Sequence, residues 1–151
     1  MQTMNKETFL DYKKRREREV NDFTHENCHW VFGNKQYEEL LQKLNLTEQQ
    51  LKEQYCNFYA GGIIKRDKLK EYEEMSTKHY NELKELMKDY DFAKSAFSYQ
   101  LGNYECYISY RFDEVFGSLS LTESEVMEND TLRTAFKDAK HEYWEWCKEN
   151  C

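Results

Sequence analysis

The sequence contains no proline and only five glycines among its 151 residues. Proline and glycine end helices and form the tight turns of loop-rich sandwiches and barrels, so their scarcity favours a helical fold. No apolar run approaches the ~18 residues that a membrane-spanning helix needs, and residues 1–20 lack the apolar core of a signal peptide. We therefore expect a cytoplasmic protein without a membrane partner.

The cysteines show no disulfide pattern. Five of them, an odd number, are scattered at positions 28, 56, 106, 147 and 151. An odd cysteine in a secreted protein would need a special explanation, whereas scattered thiols are ordinary in a reducing compartment. This agrees with a cytoplasmic location.

Aromatic residues make up 16% of the chain and charged residues 34%. Disordered chains are poor in aromatic residues, so this proportion indicates a folded protein with an aromatic core. A length of 151 residues is usual for one domain and allows a core without disulfides or metals. We therefore predict a single domain over residues 1–151.

The net charge of −7 is unevenly distributed. Residues 1–20 hold six basic and four acidic side chains, and the rest of the chain, with sixteen basic and twenty-five acidic ones, has a net charge of −9. Such an acidic body repels nucleic acid and is attracted to basic surfaces, including those built to hold nucleic acid. We expect a protein partner and no direct nucleic-acid binding.

The basic run at residues 13–18 reads Lys-Lys-Arg-Arg-Glu-Arg. It is a solvated helix face, a nucleic-acid contact, or a dock for the acidic body of a second copy, which would make a homodimer. Interleaved acids and the lack of accompanying stacking aromatics favour the solvated face.

Apolar spacing and capping residues predict a helix-rich α+β fold, with six or seven helices around an antiparallel sheet of two to four strands. Asn5, Asn34, Thr47 with Gln50, and Asp130 are candidate helix caps, and Gly102 is a candidate helix stop. Gly61-Gly62 predicts a hairpin or the start of a strand.

The predicted helices cover residues 6–22, about ten residues from Asn34, Thr47 to about Cys56, 68–89, 92–100, 113–119 and 131–149. The predicted strands cover residues 29–32 and, most convincingly, 104–110.

Two stretches share an order of features. Residues 28–51 and 106–126 each begin with Cys, continue with a β-prone run and a short helix, and reach a Leu-x-Leu-Thr-Glu motif. A duplicated strand–helix unit would explain the similarity and would place both strands in one small sheet. Chance, together with the shared pattern of capped helices, is the alternative.

No pattern of high specificity indicates an enzyme, a cofactor or a metal. The Gly-x-Gly-x-x-Gly, Walker and Gly-x-Ser-x-Gly patterns are missing. His25, Cys28 and His29 match no zinc spacing, and the last two would point to opposite faces of a strand. His79, on the apolar face of the long helix, is either a general base or, as we prefer, a packed core histidine. We predict that the protein is not an enzyme.

The acidic C-terminal third supplies the candidate partner-binding residues. From Asp113 onward the chain has ten acidic and four basic residues. Trp144 falls off the predicted inward stripe of the last helix, which includes Tyr143, Trp146 and Cys147, so it is a candidate contact or a cover for a neighbouring loop. The acidic run before this helix is a solvated turn or an imitation of spaced phosphates. The predicted partner-binding residues are Glu123, Glu125, Glu128, Asp130, Glu142, Trp144 and Glu145.

Two segments carry a family resemblance: Trp30-Val-Phe-Gly-Asn-Lys-Gln-Tyr-Glu-Glu-Leu40 with Leu44-Asn-Leu46, and Phe97-Ser-Tyr-Gln-Leu-Gly-Asn-Tyr-Glu-Cys-Tyr107. From about Phe23 onward the chain resembles a family of uncharacterised proteins of similar size carried by phages and mobile elements of bacteria. The family is expected to have His where this chain has Tyr104, and no catalytic residues are carried over.

The resemblance implies a phage-type inhibitor of bacterial defence, most specifically an anti-CRISPR protein in the bacterial host cell. Such a protein would bind a basic nucleic-acid channel of an RNA-guided CRISPR nuclease. The alternative is a structural or regulatory mobile-element protein that self-associates and has no inhibitory activity.

Overall fold

The computed structural model describes residues 6–151, which form nine α-helices, one turn of 3-10 helix and a three-stranded sheet. The helices are α1 (Phe9–Asn27), α2 (Asn34–Leu44), α3 (Glu48–Gln54), α4 (Arg66–Leu86), α5 (Tyr90–Asn103), α6 (Cys106–Ser109), α7 (Asp113–Ser118), α8 (Glu123–Glu128) and α9 (Asp130–Asn150). The strands are β1 (Cys28–Trp30), β2 (Tyr55–Asn57) and β3 (Gly62–Lys65), with the 3-10 turn at Tyr59–Gly61. The predicted helix-rich α+β class is confirmed. The helices beyond the predicted six or seven are the short helices α6 and α8, for which the sequence predicted a strand and a turn. No helix within these residues has the length and apolar character to cross a bilayer.

The chain forms two compact units. Unit 1 comprises Tyr80–Cys151 together with the chain up to Arg15, and unit 2 is Arg16–His79. The unit boundaries therefore fall inside α1 and α4. The prediction of one domain stays a prediction.

The core of unit 1 forms where α5 packs along α9. Small residues on both helices, Ala93 and Ala96 on α5 and Ala135 and Ala139 on α9, are fully buried and let the two backbones approach closely. Aromatic rings fill the space around this seam: Phe97, for example, meets Phe136 with ring centroids 5.3 Å apart. The composition-based prediction of an aromatic core is confirmed for this unit.

Several helix ends differ from the predicted caps. Asp89 caps α5 by accepting a hydrogen bond from the Phe92 N–H at 3.0 Å, and Gly102 lies inside that helix. Gly33, not Asn34, precedes α2. The Thr47–Gln50 capping box of α3 is confirmed. Asn5, the predicted cap of the first helix, lies outside the described residues, and that helix extends to Asn27.

The strand predicted at residues 104–110 is wrong. Cys106–Ser109 form the single helical turn α6, and left-handed residues stand on either side of it, Glu105 with φ 50° and Tyr110 with φ 56°. Burial explains the difference, because Cys106 is fully buried and its Sγ donates to the Arg111 carbonyl at 3.0 Å. The second half of the proposed duplication, residues 106–126, therefore contains no strand.

Unit 2 contains the sheet, in the order β1-β3-β2, with both pairs antiparallel. The 3-10 turn joins β2 to β3 as a hairpin, which confirms the prediction from Gly61-Gly62. Gly61 has φ 80°, which favours glycine, and a Cβ on Gly62 would lie 2.9 Å from the Tyr59 carbonyl oxygen. Both glycines are therefore required by this turn.

Candidate interaction surface

The predicted acidic run lies on a short helix rather than in a turn. Thr122 begins α8: its Oγ1 accepts from the Glu125 N–H at 3.2 Å, and the Glu125 carboxylate accepts in return from the Thr122 N–H at 3.3 Å. Val126, fully buried, anchors the helix to unit 1. Glu123, Glu125 and Glu128 are consequently held on an ordered, exposed helix.

Thr122→Ala should loosen this acidic helix. The substitution removes the acceptor of the Glu125 N–H and the hydroxyl that donates to the Glu125 carboxylate at 3.1 Å, which should cost about 1 kcal/mol of helix stability. Amide hydrogen exchange in α8 should quicken accordingly. Thr47→Ala, at the matching box of α3, is the control and should leave exchange in α8 unchanged. Unaltered exchange of the Glu125 amide in Thr122→Ala would show that the box does not hold the helix.

The last helix begins one residue earlier than predicted. Asn129, not Asp130, is its cap and accepts from the Leu132 N–H at 3.0 Å. Asp130 is exposed and pairs with Arg133, whose guanidinium also donates to the Met127 carbonyl at 2.8 Å. Arg133 thus joins the end of α8 to the start of α9 and partly neutralises the acidic run.

Glu142 and Glu145 are exposed on α9, and both have basic partners. Glu142 pairs with Lys94 of α5, and this hydrogen bond raises the pKa of the Lys94 ammonium. Glu145 pairs with Lys148 one turn further along, at 3.1 Å. The negative charge of α9 is therefore more compensated than that of α8.

Of the two roles weighed for Trp144, a partner contact or a cover for a neighbouring loop, the structure agrees with the cover, and the role as a partner contact stays a prediction. The Trp144 ring is half-buried among four others, with centroid distances of 5.6 Å to Tyr107, 6.0 Å to Tyr110, 6.0 Å to Phe112 and 5.4 Å to Tyr143. Trp146, expected to face inward, is 58% exposed. The reason is α6: residues 104–112 fold over this side of α9 instead of joining the sheet.

A groove of about 470 Å³ opens beside the acidic helix. Its apolar lining includes Tyr110, Phe112 and Met127, and Glu123 stands at the same groove. The Lys140 ammonium lies 4.8 Å from the Phe112 ring centroid and 5.6 Å from that of Trp144. These aromatic faces already hold a cation of the chain itself.

The exposed apolar residues of this surface were not predicted from the sequence. Ile108 is 75% exposed and Tyr110 is 67% exposed, and both come from the segment taken for a strand. The β-prone alternation of residues 104–110 concealed them, because it assigns half of such residues to a buried face. Met127, also exposed, gave no signal beyond its place between acidic residues.

His79 was weighed as a general base or a packed core histidine, and the structure places it in the interior. His79 is buried within unit 2, with Nε2 2.9 Å from Glu19 Oε2, and this hydrogen bond lowers the pKa of the Glu19 carboxyl. Across residues 6–151, no three His, Cys, Asp or Glu side chains gather where they could hold a metal ion. All five thiols are free. The expected lack of enzymatic activity, cofactor and metal stays a prediction.

A family model matches residues 10–142, nearly the whole chain. The chain belongs to the DUF7659 family. That family is described as one of unknown function, so membership adds no activity and no partner. No curated protein and no solved structure matches the chain. Any function must be argued from the surface itself.

Proposed function

We propose that the protein works by binding a basic surface of another protein, and that the contact is made by the acidic residues of α8 and the adjoining groove. The supporting observation is that Glu123 and Met127, from α8, line the same groove as Tyr110 and Phe112. Acidic and apolar side chains thus meet on one exposed face of unit 1.

The two kinds of side chain would serve different steps of binding. Exposed carboxylates such as Glu123 and Glu128 would attract a basic partner and speed association, an effect that salt screens. Tyr110, desolvated on contact, would supply much of the affinity, because tyrosine is among the residues that dominate interface energetics. The basic side chains of the partner would meet the carboxylates of α8, because Lys140 already occupies the faces of Phe112 and Trp144.

The most specific form of the proposal names the partner as an RNA-guided CRISPR nuclease in the cytoplasm of a bacterial host. This form comes from the resemblance to phage and mobile-element proteins together with the charge of the chain. The carboxylates of α8 would occupy part of a channel that normally holds phosphates. The protein would then be an inhibitor of bacterial defence that binds no nucleic acid itself.

Charge reversal on α8 tests the proposal. We expect the combination Glu123→Lys, Glu125→Gln and Glu128→Lys to weaken binding to a purified CRISPR nuclease at least tenfold at low salt. Glutamine at position 125 keeps the capping box, as Gln50 does in α3, so the helix remains. Affinity is measured by biolayer interferometry at two ionic strengths.

The matched control changes the net charge equally in unit 2, through Glu38→Lys, Glu53→Gln and Glu74→Lys, all at exposed positions. It should bind like the unaltered protein. Equal losses in both variants would show that total charge, not the α8 surface, attracts the partner. Full binding by the α8 variant at low salt would contradict the proposal.

Self-association without inhibitory activity is the alternative function. The chain carries both a basic run at residues 13–18 and the acidic helix α8, so two copies have complementary charges. Sedimentation velocity over a range of concentrations decides between the two. A salt-sensitive homodimer that ignores the nuclease would favour this alternative.

A further inference from the structure

Within residues 6–151, one edge of the sheet in unit 2 has main-chain groups that pair with no further strand. β1 is an outer strand. Just after it, the Val31 N–H donates to the carbonyl of Gly61, the residue that precedes the central strand β3, at 3.1 Å. Hydrogen-bonding directions alternate along an antiparallel strand, so His29 and Val31 face β3 while Cys28 and Trp30 face away.

The opposite side of β3 supports this assignment. The Phe58 N–H donates to the Gly62 carbonyl at 2.7 Å, so Gly62 faces β2 and its neighbours Gly61 and Ile63 face β1. Two residues after β1 ends, the Phe32 N–H points away from β3 and donates to the Gln36 side-chain oxygen at 2.7 Å. That oxygen stands where the carbonyl of a further strand would stand.

The other outer strand is closed at its start. Tyr55 is the first residue of β2, and its N–H donates to the Leu51 carbonyl of α3. Among residues 6–151, no comparable bond covers the outward N–H of Trp30 in β1, and the sequence Cys-His-Trp of this strand includes none of the lysines or prolines that commonly guard exposed edges. β1 is thus covered beyond its end, where Gln36 accepts from the Phe32 N–H, and its edge is accessible at Trp30.

A groove of about 850 Å³ runs along this accessible edge. One wall is β1 with Val31 and Phe32, and the other is the face of α2 that carries Gln36, Leu40 and Lys43. A channel between an outer strand and a helix is the arrangement in which peptide-binding domains add a strand to a sheet. The space is suited to one extended chain.

The groove favours apolar and basic side chains. Trp30 is 41% exposed, Phe32, just beyond the end of β1, is 67% exposed, and both line the groove. Glu26 and Glu39 outnumber Lys43 among the charged side chains of the groove. Burial and the Lys43 ammonium lower the pKa of His29, which disfavours a positive charge on its imidazole.

We propose that the groove between β1 and α2 binds an extended peptide segment of another protein, with apolar residues alternating with basic ones, as an added strand on β1. The main-chain groups of Trp30 would pair with the peptide, and Trp30 and Phe32 would contact its apolar side chains. This site lies wholly in unit 2 and is independent of the acidic helix of unit 1.

Synthetic capped peptides test strand addition directly. A fluorescein-labelled peptide of alternating lysine and valine should bind, as measured by anisotropy, and should slow hydrogen exchange of the Trp30 amide. Two N-methylated forms of this peptide are compared, one methylated at every valine nitrogen and one at every lysine nitrogen. Their affinities should differ by about tenfold, because only one edge of the added strand pairs with β1. A peptide of alternating glutamate and valine should bind more weakly than the lysine peptide.

Two substitutions at one position complete the test. Trp30→Pro removes the outward N–H but spares the bonds of His29 and Val31 to β3, and proline is tolerated in outer strands at such positions. Trp30→Val removes the ring but keeps the N–H. We expect Trp30→Pro to bind the lysine peptide several-fold more weakly than Trp30→Val.

Three results would overturn the proposal: no binding at millimolar peptide, equal binding of the two N-methylated peptides, or equal binding by the two folded variants. A homodimer of the unaltered protein that Trp30→Pro abolishes would also overturn it, because a second copy would then occupy the edge. Should Trp30→Pro fail to fold, the N-methylated pair on the unaltered protein decides.

Discussion

Phe97→Ala should destabilise the protein by about 3–5 kcal/mol, a large part of the stability of most domains. Phe97 is fully buried in unit 1, and its ring lies edge-on to Phe116 and to Phe136, with centroids 6.2 Å and 5.3 Å away. Removing the ring leaves a cavity where α5, α7 and α9 meet. Urea unfolding followed by far-ultraviolet circular dichroism measures the loss, and hydrogen exchange should quicken first in α5 and α9.

Phe32→Ala is the control for this substitution. The same atoms are removed from a ring that is 67% exposed, so the change in stability should stay within about 0.5 kcal/mol. A loss below about 1 kcal/mol for Phe97→Ala would mean that unit 1 can collapse around the missing ring, against the close packing expected of an interior.

The sequence predicted the elements whose signals are local. The Thr47–Gln50 capping box and the Gly61-Gly62 hairpin depend on hydrogen bonds and dihedral angles within a few residues, and both were found where the sequence indicated them. The long helices α4 and α9 also followed from their apolar periodicity, to within a few residues at their ends.

Residues 104–110 show why the remainder was out of reach. Tyrosine and isoleucine favour strands, but this preference is weak beside burial, and here Cys106 is buried in a helical turn. Two residues with left-handed backbone conformations, Glu105 and Tyr110, flank the turn. Neither glutamate nor tyrosine commonly adopts positive φ, so the sequence does not predict these conformations. Only tertiary packing within unit 1 decides the conformation of this segment.

The same error spread to the candidate site. The acidic residues were placed on the surface correctly, because charge alone keeps exposed carboxylates in water. The exposed aromatic residues of the candidate site were not predicted, because the position of α6 decides which side of α9 is covered. The sequence also gave no sign that Tyr110 and Met127 would share a groove with Glu123, since these residues are brought together only by the fold.

Trp144→Ala should cost about 3 kcal/mol of stability, because it removes the centre of an aromatic cluster. The ring touches Tyr107 and Tyr110 near α6, Phe112 before α7 and Tyr143 on α9, and the Lys140 ammonium lies 5.6 Å from its centroid. Without it, α6 loses the contact between Tyr107 and the Trp144 ring, and hydrogen exchange in Cys106–Ser109 should quicken. Urea unfolding and residue-resolved exchange measure the two effects.

Trp146→Ala is the control on the same helix. Trp146 is 58% exposed, so its removal should change stability by no more than about 0.5 kcal/mol. Partner affinity should also stay unchanged, because the groove beside α8 is lined by other residues. Equal stability losses for the two tryptophans, or a larger one for Trp146, would restore the inward stripe that helical spacing alone predicts.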